Sequence, residues 1–376
     1  MKIEELFFEL DNSDENEKGL AELEKILRNK KDSFEKKTLK YMFENNVFLY
    51  RGMNSKDLVF IKSPRSNRQP RDLVIDIHNL INEIMDELKI KATRANSFFV
   101  INNFDEARTY GNVYLAFPLK GFSFYTNYSI YDLYEDFSHI FVDFIKRKMR
   151  DDKKIHDLFV NNFLNDEAFE YFFDKLYSPS ISTKITRLYN SYAKNLGSKY
   201  SFHELISKIL NLSNKFDLID KIKLFFKDIV LDTVKNKKEI NNILQRENID
   251  INTFNEFTDK LLEMLIVEII FYMIFYVKSN KSNFSEIIKH VKNEQEKNIY
   301  IFILNMIKSN DFKNELKLII KNYSIYENRV NSFSPEFIEA IKKRNEILIN
   351  GEVLFINNHF FENNKAKVIN LFLKFL

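Results

Sequence analysis

Three polar residues stand at the ends of short apolar runs in this chain. Arg51 follows Val47-Phe48-Leu49-Tyr50, Ser97 precedes Phe98-Phe99, and Glu346 precedes Ile347-Leu348-Ile349. Together they offer a planar donor fork, a hydroxyl and a carboxylate. Carried by three strands of one sheet, they could converge on one cleft. Other chemistry is scarce. Cysteine is absent, which removes disulfides, thiolate zinc sites and thiol nucleophiles together. The six histidines, His78, His139, His156, His203, His290 and His359, form neither an H-x-x-x-H nor an H-E-x-x-H pair. No Walker phosphate loop, G-x-G-x-x-G or G-x-S-x-G occurs. Arg65, Arg68 and Arg71 recur every third residue, as a phosphate clamp or a solvated loop. Arg71 has the better claim, because it stands beside Asp72 at an expected helix start, where backbone N–H groups favour anions. Asp132, Glu135 and Asp136 read as an acidic helix face rather than a metal site.

The elements that must carry these residues follow from where glycine and proline fall. There are only six Gly and five Pro in 376 residues, so helices are long and tight turns few. Six of the eleven lie between Gly52 and Gly121, and from Phe122 to Ser334 only Pro179 and Gly197 appear. The front section reads as strands around one helix. Strands are expected at Val47–Arg51, Ser97–Ile101, Val113–Phe117 and Phe122–Tyr125. The helix begins at the N-cap Asp72, with Leu73, Ile77, Leu80, Ile81, Ile84 and Leu88 on one face. Near the end, two apolar runs flank Asn350-Gly351, which predicts a two-residue hairpin. One hairpin is unstable alone, so it must join the sheet begun at Val47.

The expected organisation is therefore α+β, with a small mixed β-sheet core interrupted by a large all-helical insertion. Residues 1–44 form an N-terminal helical segment and 45–128 the first part of the core. Residues 129–334 form the insertion, with amphipathic stretches including Leu218–Val234 and Phe254–Val277. Residues 335–376 complete the core with a hairpin and a C-terminal helix. Lys+Arg of 57 against Asp+Glu of 54 gives a net charge of +3, which argues against a strongly basic nucleic-acid binder. The acidic start lacks the pattern of a secretory signal. The most apolar stretch, Leu261–Val277, carries Glu263 and Glu268 and is too short between charges to span a bilayer.

The motifs also carry a resemblance. Leu49-Tyr50-Arg51-Gly52-Met53, Pro70-Arg71-Asp72, Arg94-Ala95-Asn96-Ser97-Phe98-Phe99-Val100 and Ala107-Arg108-Thr109-Tyr110-Gly111 resemble a phage-associated ADP-ribosyltransferase-like family. The arrangement is similar to the Arg-Ser-Glu class of mono-ADP-ribosyltransferases, with a Y-R-G first strand, a central Ser strand and a late Glu strand. The resemblance implies NAD as cofactor and transfer of ADP-ribose to an acceptor. It implies Arg51, Ser97 and Glu346 as the catalytic core, with Arg51 on a phosphate or ribose. Glu346 would bond a ribose hydroxyl and stabilise the positive charge that develops as nicotinamide leaves. It further implies that Gly52, Arg71, Arg94, Asn96, Phe98 and Tyr110 line the NAD site. The middle motif departs from Ser-Thr-Ser, and Arg344 stands where Arg-specific transferases carry a second glutamate. Glu352 is an alternative carboxylate. The implied partners are NAD and a host macromolecule or virion component, in the host cytoplasm or on the virion, with no membrane and no nucleic acid. The rival reading is an inactive structural or cargo protein of a virion.

Overall fold

The computed structural model describes residues 3–68, 74–128, 135–151, 179–197, 199–210, 224–225, 237–280, 282–343 and 345–375. The chain forms two compact units, Met1–Phe137 with Lys313–Leu376, and Ser138–Phe312. The first holds every described strand: β1 Tyr50–Met53, β2 Val59–Lys62, β3 Phe98–Val100, β4 Asn112–Pro118, β5 Phe122–Asn127, β6 Ser324–Val330, β7 Ile347–Asn350 and β8 Val353–Asn357. They form two four-stranded sheets, ordered β1-β4-β8-β2 and β3-β7-β5-β6. Every strand pairing within them is antiparallel. The fold is α+β as expected, but the expected single mixed sheet is two antiparallel ones. Tyr50 and Ile101 link them through mutual backbone hydrogen bonds of 2.8 and 2.9 Å.

Alternation along the central strands explains their unbroken apolar character. On β4 and β8, Leu115, Phe117, Leu354 and Ile356 join one core cluster with Leu23, Leu27, Met42 and Phe372 from flanking helices. Those helices are α1 (Ile3–Lys30), α2 (Lys36–Glu44) and the C-terminal Lys365–Phe375. The expected separate N-terminal segment is thus part of the first unit. The opposite residues, Tyr114, Ala116, Val353 and Phe355, join a second cluster with Phe98, Val100, Phe124, Ile347 and Ile349 of the other sheet. The helix Pro335–Lys342 closes that cluster with Phe337 and Ile341. Ser334 caps it, accepting from the Phe337 N–H, with proline in the first turn. Strands buried on both faces show no two-residue polarity alternation.

The Asn350-Gly351 hairpin does not form. β7 and β8 exist, but β7 lies between β3 and β5, and β8 between β4 and β2. Each therefore has both edges occupied, and the two-residue connection steps from one sheet to the other. Gly351 has φ of 155°, and a Cβ there would stand 2.7 Å from Phe122 Cβ and 2.8 Å from Phe122 Cα. The second correction concerns the insertion, which is not helical throughout 129–334. Its last part is β6, which pairs with β5. The sequence Ser-Ile-Tyr-Glu-Asn-Arg-Val is polar, as suits an edge strand with one solvated face.

The expected front helix is α3, Ile75–Glu87; Asp72, proposed as its cap, lies outside the described residues. Glu83 and Glu87 on its outer face pair with Lys313 and Lys317 of the helix Asn310–Asn322. Hydrogen bonds from those lysines hold the Glu87 carboxyl down at about 2, against an ordinary value of 4.5. A depressed carboxyl stabilises the fold above its unfolded value and stops doing so as pH falls through the folded one. Glu87→Gln is expected to lower the urea midpoint at pH 6. The gap to the wild type should close between pH 4.5 and 2; a gap independent of pH would refute the assignment.

The second unit is helical where described, with Pro179–Ala193, Phe202–Ile209, Lys237–Arg246, Ile251–Ser279, Phe284–His290 and Glu294–Ile307. The last two of these helices are separated by the short break Val291–Asn293. Leu218–Val234 lies largely outside the described residues. Tyr189, Phe202, Phe225, Phe254 and Phe257 pack ring against ring in this unit. Those rings are core, whereas Phe275 of the helix Ile251–Ser279, expected in the core with Phe271, is exposed. Among the described residues, no helix is long and apolar enough to cross a membrane.

Candidate functional site

The site is built around β3 and the turn before it. Asn96 shapes that turn: its Oδ1 accepts from the Thr93 N–H at 2.9 Å, and its Nδ2 donates to the Lys91 carbonyl at 3.1 Å. The Ala95 N–H donates to Asn82 Oδ1 of α3, and the Arg68 N–H donates to the Ala95 carbonyl. These bonds hold residues 93–97 against both α3 and the loop carrying Arg68. Arg94 leaves the turn almost fully buried, and its Nη1 donates to Glu346 Oε2 at 3.2 Å. The partners are 252 positions apart in sequence. Glu346 itself is held from below. Its carbonyl accepts from the Thr126 hydroxyl, and neighbouring Asn345 donates to the Asn127 carbonyl. The Glu346 side chain keeps 24% exposure.

Phe99 is the platform of the cluster. The Arg68 guanidinium lies 3.7 Å from its ring centroid and the Arg94 guanidinium 4.6 Å. Both distances fall within cation–π range. Phe98 faces the other way, into the core between the sheets, edge-on to Phe355. Arg51 lies over Phe98 at 5.1 Å and donates from Nη1 to the Phe99 carbonyl at 2.8 Å. Three guanidinium groups thus surround two adjacent rings on one strand, with a carboxylate bound to one of them.

Strand register states which expected residues meet. Val100 opposes Ile347 and Phe98 opposes Ile349, so continuing the ladder sets Glu346 across from Ile101 and Ser97 across from Asn350. Ile101 also bridges Tyr50. Tyr50, Ile101 and Glu346 therefore share one row, and Arg51 stands about two strand spacings from Glu346, roughly 10 Å. Ser97 is at the opposite end of the β3–β7 pair, about 13 Å along it. Its hydroxyl donates to Asn96 Oδ1 at 3.1 Å. The structure brings Arg94 to Glu346; Arg51 lies over Phe98, on the opposite face of β3, and Ser97 stands at the far end of the strand pair.

The remaining expected residues have their own places. Gly52 admits the helix α4 (Phe104–Arg108): a Cβ there would stand 2.1 Å from the Ala107 carbonyl oxygen and 2.7 Å from Tyr110 Cβ. Only glycine allows that approach. Tyr110 ends the same turn and is 58% exposed. Arg71 lies outside the described residues, as does Asp132. Glu352, the alternative carboxylate, accepts from Lys30 Nζ at 2.9 Å. No group of three or more metal-ligating side chains occurs among the described residues.

Two residues join the site that sequence spacing did not single out for it. Arg68 was one of three loop arginines, and only the fold stacks it on Phe99. His78 lies on the buried face of α3 between Ile77 and Ile81. Burial, then the nearby Arg94 and Arg68 charges, push the His78 imidazole down to about 4, so it stays neutral at ordinary pH. Beside it runs a cleft of about 490 Å³ lined by residues of α3, by Asn67 and Arg68, and by Ala95. No protein-family model matches the chain. No curated protein and no solved structure matches it either.

Proposed function

We propose that this chain is an NAD-dependent ADP-ribosyltransferase-like enzyme, phage-encoded, that transfers ADP-ribose to a host macromolecule. The observation that carries the reading is Glu346. Its carboxylate is paired to the buried Arg94, and its side chain keeps partial exposure. A carboxylate so placed can stabilise the cationic ribose that forms as the nicotinamide bond breaks. Arg68 and Arg94, stacked on Phe99, supply donors for a pyrophosphate. The phage resemblance of the Y-R-G strand and its Ser and Glu partners gives the chemistry its name. The second unit is the natural candidate for recognising the acceptor.

A second reading is a virion protein that binds a ligand without turning it over. Ser97 favours it, because that hydroxyl is engaged by Asn96 and lies at the far end of β3 from Glu346. Incubating the purified chain with NAD and measuring free nicotinamide separates the two. Release above a buffer control supports the enzyme. Saturable NAD binding with no release supports the second reading, and neither binding nor release removes both.

A further inference from the structure

Arg94 is the long arm of the Glu346 pair, yet the backbone that carries it belongs to no helix or strand. On an unfixed turn its guanidinium would lose register with both Glu346 and Phe99. Side chains fix the peptides on either side of it instead. The Thr93 N–H donates to Asn96 Oδ1 at 2.9 Å, and the Ala95 N–H donates to Asn82 Oδ1 at 3.1 Å. Asn96 belongs to the turn and moves with it. Asn82 belongs to α3, so its bond ties the turn to a separate element. That element is firmly seated: Ile77, Ile81, Ile84 and Met85 around Asn82 are each no more than 1% exposed. Asn82 Nδ2 donates to the His78 carbonyl, one helical turn earlier, at 2.8 Å. The amide nitrogen is thus spent within α3, and the oxygen is left to meet the Ala95 N–H. A flipped amide would set donor against donor on that side, so the two partners together hold one orientation.

We propose that Asn82 is a positioning residue for the Glu346 chemistry. Its oxygen holds the Ala95 peptide so that the Arg94 fork meets Glu346 while lying over Phe99. The inference rests on the role proposed above for Glu346, and Asn82 acts there only through Arg94. A guanidinium set at 3.2 Å from its carboxylate partner and 4.6 Å from a ring centroid has two contacts to lose if its turn shifts. Misplacement of a site by about 1 Å, even from a distant substitution, can cost about 100-fold in rate.

The experiment is a double-mutant cycle on nicotinamide release by the full chain, with the Arg94 Nε–H signal followed by NMR in parallel. Asn82→Ala removes the acceptor while raising the helix propensity of α3, so a loss cannot come from a weaker helix. It is expected to lower kcat/KM for NAD about 10-fold or more. In an Arg94→Gln background the same substitution should change nothing further, because both act through one group. A purely structural role would lower both backgrounds alike. Asn82→Asp keeps an oxygen for the Ala95 N–H and should recover most of the loss. In Asn82→Ala the Arg94 signal should shift and its proton should exchange faster with water, since Nε is shielded in the wild type. An unmoved Arg94 signal would overturn the proposal. So would equal losses in the two backgrounds, or an Asp variant as slow as the Ala variant; thermal melts establish that all the variants are folded. If the wild type releases no nicotinamide, the reading of Glu346 fails, and the Arg94 signal alone decides whether Asn82 positions the arginine.

Discussion

Glu346→Gln is expected to reduce release of nicotinamide from NAD by about 100- to 1,000-fold, the usual cost of removing one group aimed at developing charge. Glutamine keeps the volume and the local backbone bonds of Glu346 to Thr126, so the loss should fall on turnover and not on folding. Affinity for NAD should change far less, because the carboxylate acts on the charge that appears only as the bond breaks. Arg94 is the control within the same pair. Arg94→Lys keeps a cation but loses the fork that both stacks on Phe99 and reaches Glu346. It should lower turnover by less than Glu346→Gln, with a small fall in thermal midpoint. Turnover in Glu346→Gln equal to wild type would end the assignment of that carboxylate.

Gly351→Ala should destabilise the first unit by about 3 kcal/mol, read as a shift in urea midpoint. Two costs add. A φ of 155° is a region that side chains avoid, and strain there costs on the order of 1–3 kcal/mol. The new methyl would also meet backbone and Cβ atoms of Phe122, which cannot swing aside. Gly121→Ala isolates the first cost. Gly121 has φ of 88°, but a Cβ there finds only Asn331 Oδ1 at 3.8 Å. It should cost about 1–2 kcal/mol. Equal losses at the two glycines would mean that the contact with Phe122 is not tight.

Most strands and helices were legible in the sequence because their signal is local. The apolar runs at Val113–Phe117, Phe122–Tyr125 and Ile347–Ile349 are strands, and the periodic stretch after Leu73 is a helix. Pairing was less legible. Asn350-Gly351 carries the strongest hairpin signal, yet the flanking strands diverge, because both are buried on each face and each finds two partners elsewhere. A turn motif reports what two residues permit; the neighbours decide what they join. β2 and β6 were missed for a different reason. Val59–Lys62 is short, and Ser324–Val330 is polar, so neither shows a core pattern. The site divides the same way. Arg94 and Glu346 were singled out separately, and their ion pair became visible only once β3 and β7 were paired. The Asn96 turn and the Arg68 stack were invisible, since both arise from contacts across loops.

β5 and β6 are antiparallel neighbours, with Asn127 directly opposite Ser324. The polypeptide leaves the sheet and returns to it at points about 5 Å apart, across one rung. Topologically, the whole second unit is the loop of an oversized β-hairpin. A loop whose ends are pinned by a ladder adds only slowly to the entropy of closure as it lengthens. Such a junction tolerates exchange of its contents: this body could be shortened, replaced or lost in a relative without disturbing the strands around Arg51, Arg94 and Glu346. On the proposed function, acceptor choice would then evolve separately from bond chemistry.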